Sequence, residues 1–265
     1  MEESEILFEV NDQGIAVLTL NRPQTFNALT RHMTMELIPR LLERVQQEDH
    51  IRVLVITGAG RGFCSGADVE KNLKAGLEAI KDQRRVKEEP VGGFILKLAA
   101  TRKPVIAAVN GAAAGVGLSL ALQADIRIAS ANAKFGVVFV RRGLLPDGGC
   151  TVTLPLIVGL PKALELALTG DVIGAEEALR IGLVSKLVPP ENLMTEALAL
   201  ASKLAANPPI AMSFIKRALY RNVHKSVEEG LYFESWGQNV LFNTKDHKEG
   251  IQSFLEKREP KFTGE

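Results

Sequence analysis

Two short apolar runs, Ile6–Val10 and Ile15–Leu20, are divided by Asn11-Asp12-Gln13-Gly14. Turn-forming residues between two β-rich runs predict a hairpin. Asn21-Arg22-Pro23 then breaks the chain, and Asn27-Ala28-Leu29-Thr30 leads into a helix. Ile38, Leu41, Leu42 and Val45 keep the i, i+3, i+4, i+7 spacing of a buried helical stripe. Pro39 lies inside that stripe and is predicted to kink the helix, because it lacks an N–H and crowds the preceding turn.

Residues 51–57 form a β-rich run that ends in Gly58-Ala59-Gly60-Arg61-Gly62, a strand feeding a glycine-rich loop. Residues 104–109 repeat that logic and run into Asn110-Gly111 and Gly115-Val116-Gly117. Residues 126–128 read as a further strand, preceded by Asp125. The mixed-charge segment 70–89 has no sustained apolar face and is predicted to be mobile or partly helical. After Pro155 helical patterns dominate, at 163–168, 176–180 and 191–205, with one last strand at 184–188. Strands alternating with helices, followed by helices alone, predict an α/β domain with a helical C-terminal extension. Phe233, Trp236 and Phe242 lie in that extension, either as a tail folded on the body or as a subunit interface.

Composition narrows the functional classes. With 46% apolar and 24% charged residues, the 265-residue chain has material for one large domain or two small ones. A net charge of +1 gives no bulk electrostatic case for nucleic acid or membrane surfaces. Cys64 and Cys150 are the only cysteines, too few for a disulfide framework. The acidic opening Met-Glu-Glu-Ser-Glu is unlike a signal or organelle presequence, and apolar stretches break well short of the ~18 residues a membrane span needs. The expectation is a cytoplasmic protein with no membrane partner.

The usual cofactor motifs are absent. The loop 58–62 lacks the GK[ST] of a phosphate loop, and Gly111, Gly115 and Gly117 do not make G-x-G-x-x-G. His32, His50, His224 and His247 are scattered without metal-ligand spacing, so no metal site is expected. No G-x-S-x-G elbow is present. What remains is main-chain chemistry in two glycine-rich turns, Phe63-Cys64-Ser65-Gly66-Ala67-Asp68 and Asn110 through Leu118. Two N–H groups aimed at one point would form an oxyanion hole; equally, both turns could be plain strand–helix connections.

Three segments resemble the enoyl-CoA hydratase/isomerase (crotonase) superfamily. They are Asn21-Arg22-Pro23…Asn27-Ala28-Leu29, Gly62-Phe63-Cys64-Ser65-Gly66-Ala67-Asp68, and Ala107-Ala108-Val109-Asn110-Gly111 through Gly117. The likeness continues through Phe135-Gly136, Gly143-Leu144-Leu145-Pro146-Asp147-Gly148-Gly149, Leu168-Thr169-Gly170, Ala178, Gly182-Leu183-Val184 and Phe254-Leu255-Glu256-Lys257-Arg258. It implies a crotonase-like spiral of ββα repeats over residues 1–200, and a C-terminal helical region over 201–265 for trimerisation and CoA binding. A homotrimer or dimer of trimers is implied with it.

The resemblance also implies roles. The Ala67 and Val116 N–H groups match the pair that polarises an acyl-CoA thioester carbonyl and stabilises its enolate. Val116 departs from the usual glycine. Ser65, Gly66 and Gly117 flank the donors on the substrate side, and Asp68 matches a position more often structural than catalytic. The hydratases carry two glutamates where this chain has Ser119 and Phe139, so an ordinary two-carboxylate hydration lacks its groups. One carboxylate remains near the expected site: Asp147, in the Pro-Asp turn where some isomerase-like members keep their acid/base. Pro-Asp-Gly is also an ordinary turn sequence.

Phe139, Leu118 and Leu145 are expected to make the surroundings of Asp147 apolar and raise its pKa. Arg22 and Phe26, in the loop 22–27, resemble the adenosine-side loop. Lys257 matches a basic position that reaches CoA phosphate from a neighbouring subunit, or is a solvated charge ending the last helix. A Δ3-Δ2 enoyl-CoA isomerase using Asp147 alone, with no cofactor beyond the CoA of its substrate, is the leading expectation. The alternatives are a hydratase with water held by Ser119 or Asp147, a hydrolase or ring-acting member, and a non-catalytic acyl-CoA binding protein.

Overall fold

The computed structural model describes residues 4–68 and 92–265. The expectation for 70–89 lies outside the described residues. The predicted hairpin forms from β1 (Ile6–Val10) and β2 (Ile15–Leu20), paired antiparallel with Val10 opposite Ala16. The Asn11 side chain closes its turn by accepting from the Gln13 and Ile15 N–H groups.

Strands β3 (Val53–Gly58), β5 (Val105–Val109), β7 (Ile126–Ser130) and β10 (Lys186–Val188) extend the hairpin into a six-stranded sheet. Its order is β1-β2-β3-β5-β7-β10, parallel from β2 onward. A second sheet, of order β4-β6-β8-β9, is built from β4 (Gly62–Cys64), β6 (Ala112–Ala114), β8 (Lys134–Gly136) and β9 (Val172–Gly174). These three-residue strands carry too little periodicity to read from sequence. Successive strands thus alternate between sheets: β3 then β4, β5 then β6, β7 then β8. Helices return the chain each time, which makes the winding a spiral of strand, strand, helix.

Both faces of the large sheet are buried. Leu54 and Ile56 join the main core with Val105, Ala107 and Val109, while Val53, Val55, Ile106 and Ala108 line the opposite face. Parallel strands covered on both sides read as continuous apolar runs, as residues 51–57 and 104–109 do.

The stripe Ile38, Leu41, Leu42 and Val45 is buried on helix α1 (Ile38–Gln47). Pro39 does not kink its middle. The preceding turn, Met33–Leu37, is π-helical, with the Ile38 N–H reaching back to Met33 O, and Pro39 falls in the first α-turn, where a missing N–H is tolerated. Helix α2 (Phe94–Ala99) packs against α1, and α3 (Val116–Leu122) is buried along its whole length. Two helices escaped the sequence reading in part: α4 (Cys150–Val158) has Pro155 inside it, and α5 (Leu160–Thr169) begins before the predicted 163.

After α6 (Ala175–Arg180), helix α7 (Leu193–Ala205) covers the second face of the large sheet through Ala197 and Ala201. It therefore runs through the expected division at 200/201. The stretches Pro190–Ala205 and Pro209–Asn222 meet at 106°. From that bend α8 (Pro209–Asn222), α9 (Val227–Leu241) and α10 (Lys245–Glu256) form the C-terminal layer. Phe233 is buried in it against Trp236, whereas Trp236 and Phe242 are about half exposed. Among the described residues no single helix is long and apolar enough to cross a membrane.

One polar cluster fastens α8 to the sheet. Asp125 accepts from the Val105 N–H at 2.7 Å, the Lys216 ammonium at 2.8 Å and the Tyr220 hydroxyl at 2.9 Å. Burial pulls the Lys216 ammonium down from its ordinary value, with Asp125 opposing, and pushes the Tyr220 hydroxyl up. Removing one partner of such a pair strands the others. Asp125→Ala is therefore expected to cost about 3 kcal/mol, read as a lower urea midpoint at unchanged slope. A midpoint within error of the parent would show that the cluster contributes nothing to the docking of α8.

Candidate active site

The second sheet sets the site. Strands β4, β6 and β8 are adjacent and parallel, so their C-terminal ends emerge on one edge. The carboxyl ends of parallel strands are where open α/β sheets leave a crevice for ligands. The two glycine-rich turns predicted from sequence are the continuations of β4 and β6, and pairing of those strands makes them neighbours.

The turn after β4 is held by a two-residue bridge. The Leu29 N–H donates to Gly66 O at 2.8 Å and the Asp68 N–H donates to Leu29 O at 2.9 Å. Ala67 sits between those bonds, so its own N–H points away from Leu29. In the second turn Gly115 precedes α3 with φ 54° and ψ −133°, and Val116 is the first helical residue. The first N–H to close within that helix is that of Ser119, on Gly115 O. Among the described residues, no acceptor meets the Ala67 or Val116 N–H.

The two turns touch through glycine. Gly66 has φ 104°, and a Cβ placed there would lie 3.0 Å from Ala114 O and 3.8 Å from the Gly115 Cα. A side chain at Gly66 would press on the main chain of the second turn, and at Gly115 the positive φ, not lack of space, disfavours one. Gly117 packs below them on Cys64, which is fully buried, with its thiol pushed up to about 12 by desolvation.

Two fully or partly buried amides brace this edge. The Asn27 side chain donates to Ala59 O and Gly62 O, and accepts from the Arg22 N–H. Asn110 accepts from the Gly58 N–H and donates to Gly60 O and Gly62 O. Sequence reading used both only as motif letters. Asn27 is fully buried with φ 58°, a conformation in which Asn is among the tolerated side chains.

Asp147 joins the site through the turn before α4. Its main-chain O accepts from the Ser119 hydroxyl at 2.8 Å and from the Cys150 N–H at 3.1 Å. Gly148 lies so close to α3 that a Cβ there would be 2.9 Å from Ser119 Cβ and 3.4 Å from Val116 Cγ2. Asp147 is thereby tied to the helix that begins at Val116. Asp147 Oδ1 is buried with no hydrogen-bond partner among the described residues, and desolvation raises the carboxyl above its ordinary value. Burial also pushes the neighbouring Cys150 thiol up to about 11, with the Ser119 contact opposing and the Asp147 charge adding to it.

Several expected contacts are placed differently. Ser119 is fully buried and its hydroxyl donates to Asp147 O, so in this arrangement it faces the Asp147 main chain and not solvent. Leu145 is 79% exposed and does not shield Asp147; Leu118 is buried, and Phe139 is buried with its ring tip near Gly115. Arg22 turns inward: its guanidinium lies 2.8 Å from Asp68, 3.4 Å from Glu5, and donates to Ala28 O at 2.6 Å. Phe26 is 41% exposed with the Arg61 guanidinium 5.5 Å over its ring, and Ser65 donates its hydroxyl to Thr25 O. Lys257 is exposed in a left-handed conformation at the end of α10, well apart in sequence from the rest.

Comparison with known proteins agrees with this architecture. A family model described as "Enoyl-CoA hydratase/isomerase" matches residues 10–265. A Rhodobacter capsulatus protein named "Probable enoyl-CoA hydratase" is 40% identical over 264 residues, covering 100% of both chains. The 1,2-epoxyphenylacetyl-CoA isomerase of Escherichia coli K12 is 38% identical over 260 residues, covering 98% of this chain and 99% of its own. The crystal structure of an enoyl-CoA hydratase from Bacillus anthracis superposes with a TM-score of 0.90 at 32% identity, covering 99% of this chain and 100% of the other.

Proposed function

This chain belongs to the enoyl-CoA hydratase/isomerase family, and from that membership we propose that it moves a double bond in an enoyl-CoA thioester, Δ3 to Δ2, with Asp147 as its one acid/base. The observation that carries the reading is Asp147 itself: a half-buried carboxylate whose Oδ1 has no partner among the described residues, fixed to the donor helix, where Ser119 and Phe139 hold the places of the hydratase glutamates. The ordinary crotonase-type spiral supplies everything else.

The Ala67 and Val116 N–H groups accept the thioester oxygen. Asp147 takes a proton from C2 of a 3-enoyl thioester, and negative charge moves onto that oxygen as a dienolate. Main-chain donors stabilise this charge without reorganising, which is where such sites gain most of their rate. The protonated Asp147 then returns the proton at C4, and the double bond is left between C2 and C3. One carboxyl suffices because the same proton is removed and replaced.

Val116 sets a branched side chain at the donor helix's first residue, where it narrows the space beside Gly148. Phe26 and Arg61 form the CoA adenosine side, and Lys257 takes a CoA phosphate of a neighbouring subunit. The C-terminal layer supports such an assembly: an open, largely apolar groove of about 540 Å³ runs between α8, α9 and α10, and Phe254 and Leu255, which line it, are 82% and 73% exposed. The assembly is a homotrimer or a dimer of trimers, in the cytoplasm.

The test follows purified protein with 3-enoyl-CoA and 2-enoyl-CoA thioesters of several chain lengths. Conversion of the 3-enoyl to the 2-enoyl form without added metal or redox cofactor is expected. Hydration of the 2-enoyl thioester at a comparable rate would make a water-activating group necessary and overturn the single-acid mechanism. Binding of both thioesters without turnover would leave an acyl-CoA binding protein.

A further inference from the structure

We infer that Arg22 is a positioning residue for the oxyanion hole, clamping both sides of the Leu29–Ala67 bridge and so setting the aim of the Ala67 N–H. The inference rests on the oxyanion reading of Ala67 given above. Its basis is a single nitrogen. Nη1 of Arg22 donates to Ala28 O at 2.6 Å and lies 2.8 Å from Asp68 Oδ2. Ala28 precedes Leu29 and Asp68 follows Ala67, so one guanidinium joins the two segments on either side of the bridge that orients the donor.

The rest of the guanidinium is held as firmly. Nε lies 3.4 Å from Glu5 Oε1, and the other Glu5 oxygen accepts from Thr30 Oγ at 3.1 Å and sits 3.0 Å from His32 Nδ1. The Arg22 side chain is 14% exposed and that of Asp68 9%, so the pair is largely withdrawn from water. The Arg22 N–H is fixed as well, by Asn27 Oδ1 at 2.8 Å. A planar cation with several fixed donors suits this task better than a lysine, whose single nitrogen serves fewer directions at once. A residue built for CoA phosphate would instead hold its charge towards solvent.

The two roles separate in one experiment that does not depend on isomerase turnover. Acetoacetyl-CoA is a 3-oxoacyl thioester whose enolate absorbs in the near ultraviolet, so an oxyanion hole that favours the enolate reports on itself when this probe binds. Arg22→Met and Asp68→Asn are expected to lower the enolate-to-keto ratio at saturation about tenfold, a part of the roughly hundredfold effect of losing a whole donor. Binding of free CoA should stay within about twofold of the parent. Arg22→Lys is expected to fall between, and with Asp68→Asn it carries the test if Arg22→Met does not fold.

Weaker CoA binding with an unchanged enolate ratio would overturn the inference and make Arg22 a CoA ligand. An enolate band that survives all three substitutions, with CoA binding intact, overturns it too. A parent protein that binds acetoacetyl-CoA with no enolate band would instead sink the oxyanion reading, and the inference with it.

Discussion

Asp147→Asn is expected to lower kcat for the 3-enoyl to 2-enoyl conversion about a thousandfold, the scale of a well-placed general acid/base, while raising the stability of the folded protein at neutral pH. Both effects have one cause. Desolvation raises the Asp147 carboxyl above its ordinary value, so the folded chain binds that proton more tightly than the unfolded chain does. Stability therefore rises as pH falls through the raised pKa, and at neutral pH the ionised group is a liability. An amide of the same shape removes the charge and with it the penalty. KM should change little, because the proton is transferred in the transition state and the acyl-CoA is held elsewhere.

The pH profile checks the same assignment. The first step needs the carboxylate, so kcat/KM should fall as pH drops through a limb displaced upward from the usual aspartate value of about 3.9. No alkaline limb should arise from this group, since the proton it returns is the one it has taken. Thermal melts and steady-state rates of the parent and Asp147→Asn across pH 4–9 would settle it. A variant that keeps its rate, or that melts lower at neutral pH and higher in acid, would remove Asp147 from the mechanism.

Gly117→Ala is the second large effect. A Cβ at Gly117 would stand 2.3 Å from Cys64 O and 2.7 Å from its thiol sulfur. Cys64 is the last residue of β4 and fully buried, and its carbonyl is main chain, so neither neighbour yields easily. The added methyl must push α3 away from the turn that carries Ala67, and that displacement separates the two donors. Overpacking of this kind costs about 1–3 kcal/mol. Loss of one donor's geometry costs about a hundredfold in kcat. The paired measurement is the unfolding midpoint with kcat at a temperature where the variant is fully folded. A destabilised variant with the parent's kcat would show that α3 can move without disturbing the donors.

Much of this was legible along the chain. The hairpin at Asn11 through Gly14, the stripe of α1 and the long buried strands all follow from local periodicity, because each buries a face that repeats within a few residues. Val116, Ser119 and Phe139 could be singled out because the motif around each is short and continuous. The small second sheet was not legible, since three-residue strands such as β4 and β8 have no period to read and exist only through their neighbours. Helix α4 was hidden in the same way: Pro155 argues against a helix locally, and packing against α3 and α5 overrides it.

The sequence by itself therefore determined the α/β class, the helical C-terminal end, the two glycine turns and the lone candidate carboxylate, because each is a property of neighbouring residues. Only the tertiary structure decided what these do together. Parallel pairing of β4 with β6 brings Ala67 beside Val116; the Ser119 hydroxyl ties Asp147 to the same helix, and its buried Oδ1 has no donor among the described residues. It also turned Arg22 from the expected ligand loop to Asp68, forty-six positions on. Distances and desolvation between residues far apart in the chain are fixed by packing, and no local pattern records them.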